Sequence, residues 1–242
     1  MKMSVVETVN SLVPEQIENI EKLTVRWIFQ AVMDFGMEAY EIFLQSPDDV
    51  KDVAEDITRE VLDRLAGYNV PQRIFGTVDY KKARYIILPE QMVRQALFVD
   101  SKAEKSSRNA TVQMSQTSML VRQTRGGKAV EEAGLLPTVS VYGGHEYLTT
   151  TAFVHFSYKD DDEGRHRLKE ATVFCIPNGF LQERYNPSAI DDFWQAGRNA
   201  PSRGEDFRVR VGFSKLKQKA SWRVQRILYD ECHNQCVGEW SE

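Results

Sequence analysis

The sequence is short of the residues that build unusual architectures. Cys175, Cys232 and Cys236 are its three cysteines, too few and odd in number for a disulfide framework, which suits a reducing cytoplasm. Fourteen glycines and eight prolines are scattered along the chain, which excludes a collagen-like or low-complexity protein. No apolar run approaches the ~20 residues that cross a bilayer. Glu7, Asn10 and Ser11 interrupt the N-terminus where a signal peptide needs an apolar core. A soluble, cytoplasmic protein is expected. Cys232 and Cys236 flank His233, yet no second pair of Cys or His follows to close a zinc tetrahedron. His145, His155, His166 and His233 show no pairing that suggests a metal or a catalytic triad. His155 reads as a strand residue with a satisfied hydrogen bond. Gly126-Gly127 lacks the strand and helix context of a phosphate loop.

What is present is an ordinary globular composition, 42% hydrophobic and 27% charged over 242 residues, enough for one large domain. The net charge of -4 conceals an uneven distribution. Residues 1–70 hold 6 Lys+Arg against 14 Asp+Glu, whereas residues 71–130 hold 11 against 4. Residues 201–242 are again basic, with 8 against 6. Local basic surface matters more for phosphate binding than the total, although solvated faces give the same runs.

Hydrophobic periodicity predicts a helix over 14–46 and a second over 48–66. The pattern then turns strand-like. Residues 74–88 and 95–99 predict two neighbouring strands joined by a turn at Pro89-Glu90. A helix is expected over 104–120 and a loop over 121–137. Further strands are expected over 151–158, 170–176, 207–213 and 222–229, with an acidic turn at 160–164. Trp27 and Trp222 are core candidates. Helices followed mostly by strands imply an α/β fold, a mixed central sheet flanked by helices. No repeat or dividing linker is evident, so a single domain over 1–242 is expected. It would comprise a helical part to about residue 70, a sheet to about 176, and C-terminal strands to 242.

The chemistry concentrates in Val78-Asp79 and Val99-Asp100-Ser101-Lys102, with 20 residues between the aspartates. Antiparallel neighbours can bring such positions side by side. Asp100 and Lys102, two apart on a strand, emerge on one face. Two carboxylates that close repel unless a divalent cation lies between them, and hard oxygen ligands suit Mg²⁺. A lysine beside them can hold a water and offset charge on a phosphate. Such a triplet also occurs at the solvated ends of unrelated strands, and spacing alone does not separate the two.

Asp79, the interval and Asp100-Ser101-Lys102 resemble the signature of the PD-(D/E)xK nucleases, with Val78 where a proline is usual. More specifically, the chain resembles the SfiI family of type II restriction endonucleases over most of its length. The resemblance runs through Ala54-Glu55-Asp56-Ile57-Thr58, Val78-Asp79-Tyr80-Lys81 and Val99-Asp100-Ser101-Lys102-Ala103. It continues in Glu132-Ala133-Gly134, Phe153-Val154-His155-Phe156 and Arg184-Tyr185-Asn186-Pro187. It ends with Ala196-Gly197, Pro201, Arg203-Gly204-Glu205, Arg208-Val209-Arg210-Val211 and Leu216-Lys217.

The resemblance implies a restriction-endonuclease-like core. Asp79, Asp100 and the backbone carbonyl of Ser101 would hold Mg²⁺, and Lys102 would position the attacking water. Glu55 would add an outer acid, or else is a helix carboxylate near a favourable dipole. Arg208 and Arg210 alternate with Phe207, Val209 and Val211, so both project from one strand face. The resemblance makes that face base-reading, with guanidinium forks suited to guanine in the major groove; on alternation alone it could equally be a charged outer face. Arg198, where a lysine is expected, and Arg108 are further candidates for DNA contact. The implied substrate is double-stranded DNA at an interrupted palindrome with G/C-rich half-sites of the GGCC type, cut to 5′-phosphate and 3′-hydroxyl ends. A two-fold site implies a homodimer or homotetramer, and a restriction system implies a cognate DNA methyltransferase. A repair nuclease of the same superfamily, or a DNA-binding protein that kept the fold without the chemistry, are the rival readings.

Overall fold

The computed structural model describes residues 8–46, 50–65, 72–75, 82–88, 93–105, 108–197 and 207–242, of which 64, 65, 72–75 and 82–88 by backbone alone. The chain opens with helices. In α1 (Pro14–Asp34), Pro14 occupies the first turn, where its missing N–H costs nothing. Gln16 Oε1 accepts the Val13 N–H at 2.9 Å. The single helix expected over 14–46 is in fact two, because α1 gives way at Phe35 to α2 (Gly36–Gln45). Gly36 is forced there by close approach: a Cβ on it would stand 2.6 Å from Cys236 Sγ. The second expected helix is α3 (Val50–Leu65).

Thirteen strands follow among the described residues: β1 (Gln72–Phe75), β2 (Lys82–Leu88), β3 (Val93–Glu104), β4 (Asn109–Gln113), β5 (Leu120–Arg125), β6 (Lys128–Ala133), β7 (Val139–Tyr142), β8 (His145–Asp160) and β9 (His166–Ile176). A short α4 (Gln182–Tyr185) leads to β10 (Trp194–Ala196) and β11 (Arg208–Gly212), then α5 (Phe213–Lys219), β12 (Val224–Asp230) and β13 (Gln235–Gly238). The main sheet has the order β1-β2-β3-β8-β9-β12-β13, with β7 also on β8. Its pairings are antiparallel except that of β3 with β8. A small sheet, β10-β11-β4, and the hairpin β5-β6 complete it. This is the mixed α/β sheet that the sequence implied.

Several local expectations are corrected. Residues 74–88 form no single strand; β1 and β2 are separate, and the turn expected at Pro89-Glu90 lies outside the described residues. The antiparallel partnership holds nonetheless, with Arg84 opposite Leu97 in the β2–β3 pair. Residues 104–120 are not a helix. Ala110 and Val112 are buried while Thr111 and Gln113, which alternate with them, are less so, a period of two that belongs to a strand. The loop expected over 121–137 contains the β5–β6 hairpin, whose turn places Gly126 and Gly127 at φ 54° and 77°, a conformation glycine adopts without steric cost. Strands β8, β9, β11 and β12 realise the four other expectations, with the acidic turn between β8 and β9.

Two apolar layers hold the sheet. On one face Val25, Ile28, Phe43, Ile57 and Val61 of the helices pack on Leu97, Val154, Phe156, Val173 and Ile227. On the other, Phe153, Phe174 and Val224 meet Val112, Val209 and Val211 of the small sheet and Leu216 of α5. Each fully buried side chain of this kind contributes roughly 1.5–3 kcal/mol. Trp222 is buried; Trp27 is half-buried against the second layer. One polar tie crosses the core. Arg223 donates to Glu21 Oε2 at 2.6 Å, both side chains fully buried, and Glu21 Oε1 accepts the Asn178 N–H at 2.7 Å. The guanidinium lies 4.2 Å from the ring centres of both Tyr185 and Trp222.

Candidate active site

Alternation along β3 decides which side chains meet. Leu97, Val99 and Ala103 turn toward the helices and join their apolar layer, so Asp100, Lys102 and Glu104 emerge on the opposite face. There Lys102 Nζ lies 2.7 Å from Asp100 Oδ2, each side chain about four-fifths buried (18% and 20% exposed). The side chain of Ser101 is buried. The Asp100 oxygen that meets the ammonium is buried, and about a fifth of each side chain remains exposed. Asp79 lies outside the described residues. Among those that are described, no group of three or more His, Cys, Asp or Glu side chains could by itself hold a metal ion.

Glu55 is exposed on α3, 3.7 Å from Lys51 one turn earlier, so its partner here is a lysine of its own helix and not a β3 group. The apolar face of α3 rests on the main sheet through its neighbours Val53, Ala54 and Ile57.

Two further residues on the Asp100 face carry no site role in the sequence reading. Glu104 Oε1 accepts the backbone N–H of Thr111 at 3.2 Å, joining β3 to β4. Its other oxygen lies 3.9 Å from Nε2 of His155, which stands beside Lys102 in the parallel β3–β8 register. Burial acts to raise the Glu104 pKa, but the facing imidazole and the Thr111 N–H outweigh it and hold the carboxyl below its ordinary value. His155 is fully buried, and neither ring nitrogen makes a hydrogen bond. The satisfied hydrogen bond expected for it is therefore absent; its ring is packed edge-on against Phe213, with centroids 5.4 Å apart. A signal for Glu104 did exist, since it continues the alternation of Asp100 and Lys102. Nothing local marks His155.

The strand β11 carries the arginines. Val209 and Val211 are buried in the second layer, which leaves Arg208 and Arg210 half-buried on the outer face as alternation predicts. Arg208 stands opposite Gln113, and Arg210 opposite Thr111 on β4 and Gln195 on β10. Arg125, from the end of β5, fastens this strand. It donates to the carbonyls of Gly197, at 3.0 Å, and Arg208, and its guanidinium covers the Phe207 ring at 4.2 Å. A Cβ on Gly197 would meet the Arg208 carbonyl oxygen at 2.5 Å, so only glycine lets the chain segments approach this closely. Arg108 is exposed just before β4, and Arg198 lies outside the described residues. No helix among the described residues is long and apolar enough to cross a membrane.

An acid and an amine are paired on one strand of a helix-backed mixed sheet, with arginines on a neighbouring small sheet, and likeness to known restriction enzymes makes the protein a site-specific deoxyribonuclease. Known proteins narrow the class. The chain belongs to the SfiI family of type II restriction endonucleases: the family model for "Type II restriction enzyme SfiI" matches residues 33–227. It is 36% identical to the type II restriction enzyme SfiI of Streptomyces fimbriatus, over 94% of this chain and 90% of that one. The crystal structure of tetrameric SfiI bound to cognate DNA superposes with a TM-score of 0.82 at 32% identity, covering 98% of both chains. The restriction endonuclease BglI bound to its recognition sequence shares the fold, with a TM-score of 0.74 at 16% identity over 90% of this chain and 92% of that one.

Proposed function

We propose that this type II restriction endonuclease hydrolyses double-stranded DNA with Mg²⁺ at an interrupted palindrome of G/C-rich half-sites, of the GGCC type. It leaves 5′-phosphate and 3′-hydroxyl ends. The observation that carries the reading is the Asp100–Lys102 pair at 2.7 Å. Its donor set suits a hard cation: a carboxylate on Asp100, a carbonyl on Ser101, and the carboxylate that the motif supplies at Asp79. When bound, Mg²⁺ supplies Lewis-acid stabilisation of the charge on the phosphate oxygens.

The chain's own residues do the rest. Asp79 and Asp100 hold the cation, with Glu55 as an outer acid that must first leave Lys51. Lys102 orients a water for in-line attack on phosphorus and offsets the charge of the phosphate. Arg208 and Arg210 read base edges, with Arg198 and Arg108 contacting the flanking base pairs or phosphates. A two-fold target calls for at least two copies of the chain, one per half-site. The related SfiI crystallised as a DNA-bound tetramer, and a homodimer or homotetramer is the assembly proposed here. The whole of 1–242 serves as one endonuclease domain, working in the cytoplasm beside a cognate DNA methyltransferase.

The test is a digest of a fully sequenced genome with Mg²⁺, its fragment ends then mapped. Discrete ends on one interrupted palindrome are expected, and ends scattered without a common sequence, as a structure-directed repair nuclease leaves, contradict the reading. Arg208→Ala or Arg210→Ala is expected to cost about 1–3 kcal/mol of cognate affinity per lost bidentate contact. An equal loss on random DNA would make either a phosphate contact instead.

A further inference from the structure

Between the strand that carries the reacting groups and the strand that carries the arginines, the structure has a joint. It is built from Glu104 and His155, neither of which is needed to hold a metal or touch a base. Glu104 stands two positions beyond Lys102 on the same strand face and accepts the backbone N–H of Thr111. Thr111 is the register partner of Arg210 in the β4–β11 pair. His155 is the register partner of Lys102 in the β3–β8 pair, and its ring meets Phe213, which opens α5 directly after β11. The two residues face each other across 3.9 Å. One side of the joint is therefore on the catalytic strand, and the other reaches Thr111, opposite Arg210, and Phe213, just past the end of β11.

From this geometry we infer that Glu104, supported by His155, is a positioning residue that makes the alignment of Lys102 depend on the seating of β11 on its DNA. Coupling of this kind travels through contiguous packed and hydrogen-bonded groups. The Glu104 carboxylate, carried by the catalytic strand, provides one such group, with one oxygen accepting the Thr111 N–H and the other facing the His155 ring. The buried imidazole supplies the second route, through packing on Phe213. A fully buried ring with two nitrogens that make no hydrogen bond is costly to keep, and the Glu104 carboxylate is the charged group that faces it. The consequence is selectivity in the chemical step, beyond that in binding: a mismatched half-site that seats β11 poorly leaves Lys102 poorly placed. The inference rests on the reading of β11 as base-reading.

The experiment measures two quantities for wild type, Glu104→Gln, Glu104→Ala and Arg210→Ala. One is equilibrium binding in Ca²⁺; the other is the single-turnover cleavage rate in Mg²⁺. The probes are the mapped cognate duplex, a duplex with one altered base pair, and random DNA. For Glu104→Ala, cognate binding within about threefold of wild type is expected together with a cleavage rate lower by about 10–100-fold, the scale of a small misplacement of reacting groups. The cleavage preference for cognate over altered DNA is expected to shrink with it. Glu104→Gln keeps an oxygen for the Thr111 N–H and is expected to restore part of the rate. Binding and rate falling together on all three duplexes, with a lowered melting temperature, would show a merely structural role and overturn the inference; Glu104→Gln covers the case in which the alanine variant does not fold. A rate unchanged in both Glu104 variants would overturn it as well. If Arg210→Ala leaves the cognate-to-random binding ratio untouched, the reading of β11 fails first, and the joint has nothing to transmit.

Discussion

Replacing Asp100 by Ala or Asn is expected to reduce cleavage of the cognate duplex by at least about 10³-fold, the scale on which enzymes lose a group that stabilises transition-state charge. The loss should fall on the chemical step. Asp100 is about one-fifth exposed and lies on the sheet face away from the helical layer, so its removal opens no apolar cavity and the fold should persist. Lys102, at 2.7 Å, is left without this carboxylate but keeps about a fifth of its side chain exposed to solvent. Binding should survive, because removing a carboxylate beside a phosphate relieves repulsion. The measurement is single-turnover cleavage in Mg²⁺ set against specific binding in Ca²⁺. Cleavage that survives in Asp100→Asn removes this residue from the mechanism, whereas a variant that has lost both binding and cleavage indicates a damaged fold.

The second large effect concerns stability. Arg223→Met should lower unfolding stability by about 3–5 kcal/mol, since it leaves the Glu21 carboxylate buried without its counter-charge. Against a typical total of about 5–15 kcal/mol, such a loss is severe. Both side chains are fully buried, the Asn178 N–H still donates to Glu21, and burial, which already raises the Glu21 pKa, favours protonation of the stranded carboxyl at a cost to stability. The cation stacked between Tyr185 and Trp222 is lost as well. Glu21→Gln in the Arg223→Met background removes the stranded charge and still accepts the Asn178 N–H, so it should recover much of the loss. Urea unfolding of the wild type and the two variants decides. A single-variant cost below about 1 kcal/mol would mean that the tie between α1 and the start of β12 is dispensable.

How far the sequence could be read depended on whether the information was local. The α-helical period of residues 14–34 and the strand alternation of Arg208–Val211 are local, and both were read correctly. The break at Phe35–Gly36 has no local apolar signal, and the close approach of Cys236 to Gly36 comes from two hundred residues away. Residues 104–120 misled because polar strands carry few apolar residues; β4 shows its alternation only in Ala110 and Val112, which are buried by β11 and the second layer. The β5–β6 hairpin reads as a loop in sequence because its turn glycines and charged outer strand look alike to composition. Alternation alone puts Asp100 and Lys102 on one face; only the family resemblance makes that pair a candidate site. Arg125 could not be found that way, since its value lies in reaching the carbonyls of Gly197 and Arg208, more than seventy residues on.

The most direct measurement is a crystal structure of the enzyme with its mapped cognate duplex and Ca²⁺ in place of Mg²⁺. The account predicts one ion with carboxylate oxygens of both Asp79 and Asp100 at about 2.3–2.6 Å, and the Lys102 ammonium beside the scissile phosphate. An ion held by Asp100 with Asp79 out of reach, or a phosphate approached from the opposite face of β3, would contradict it.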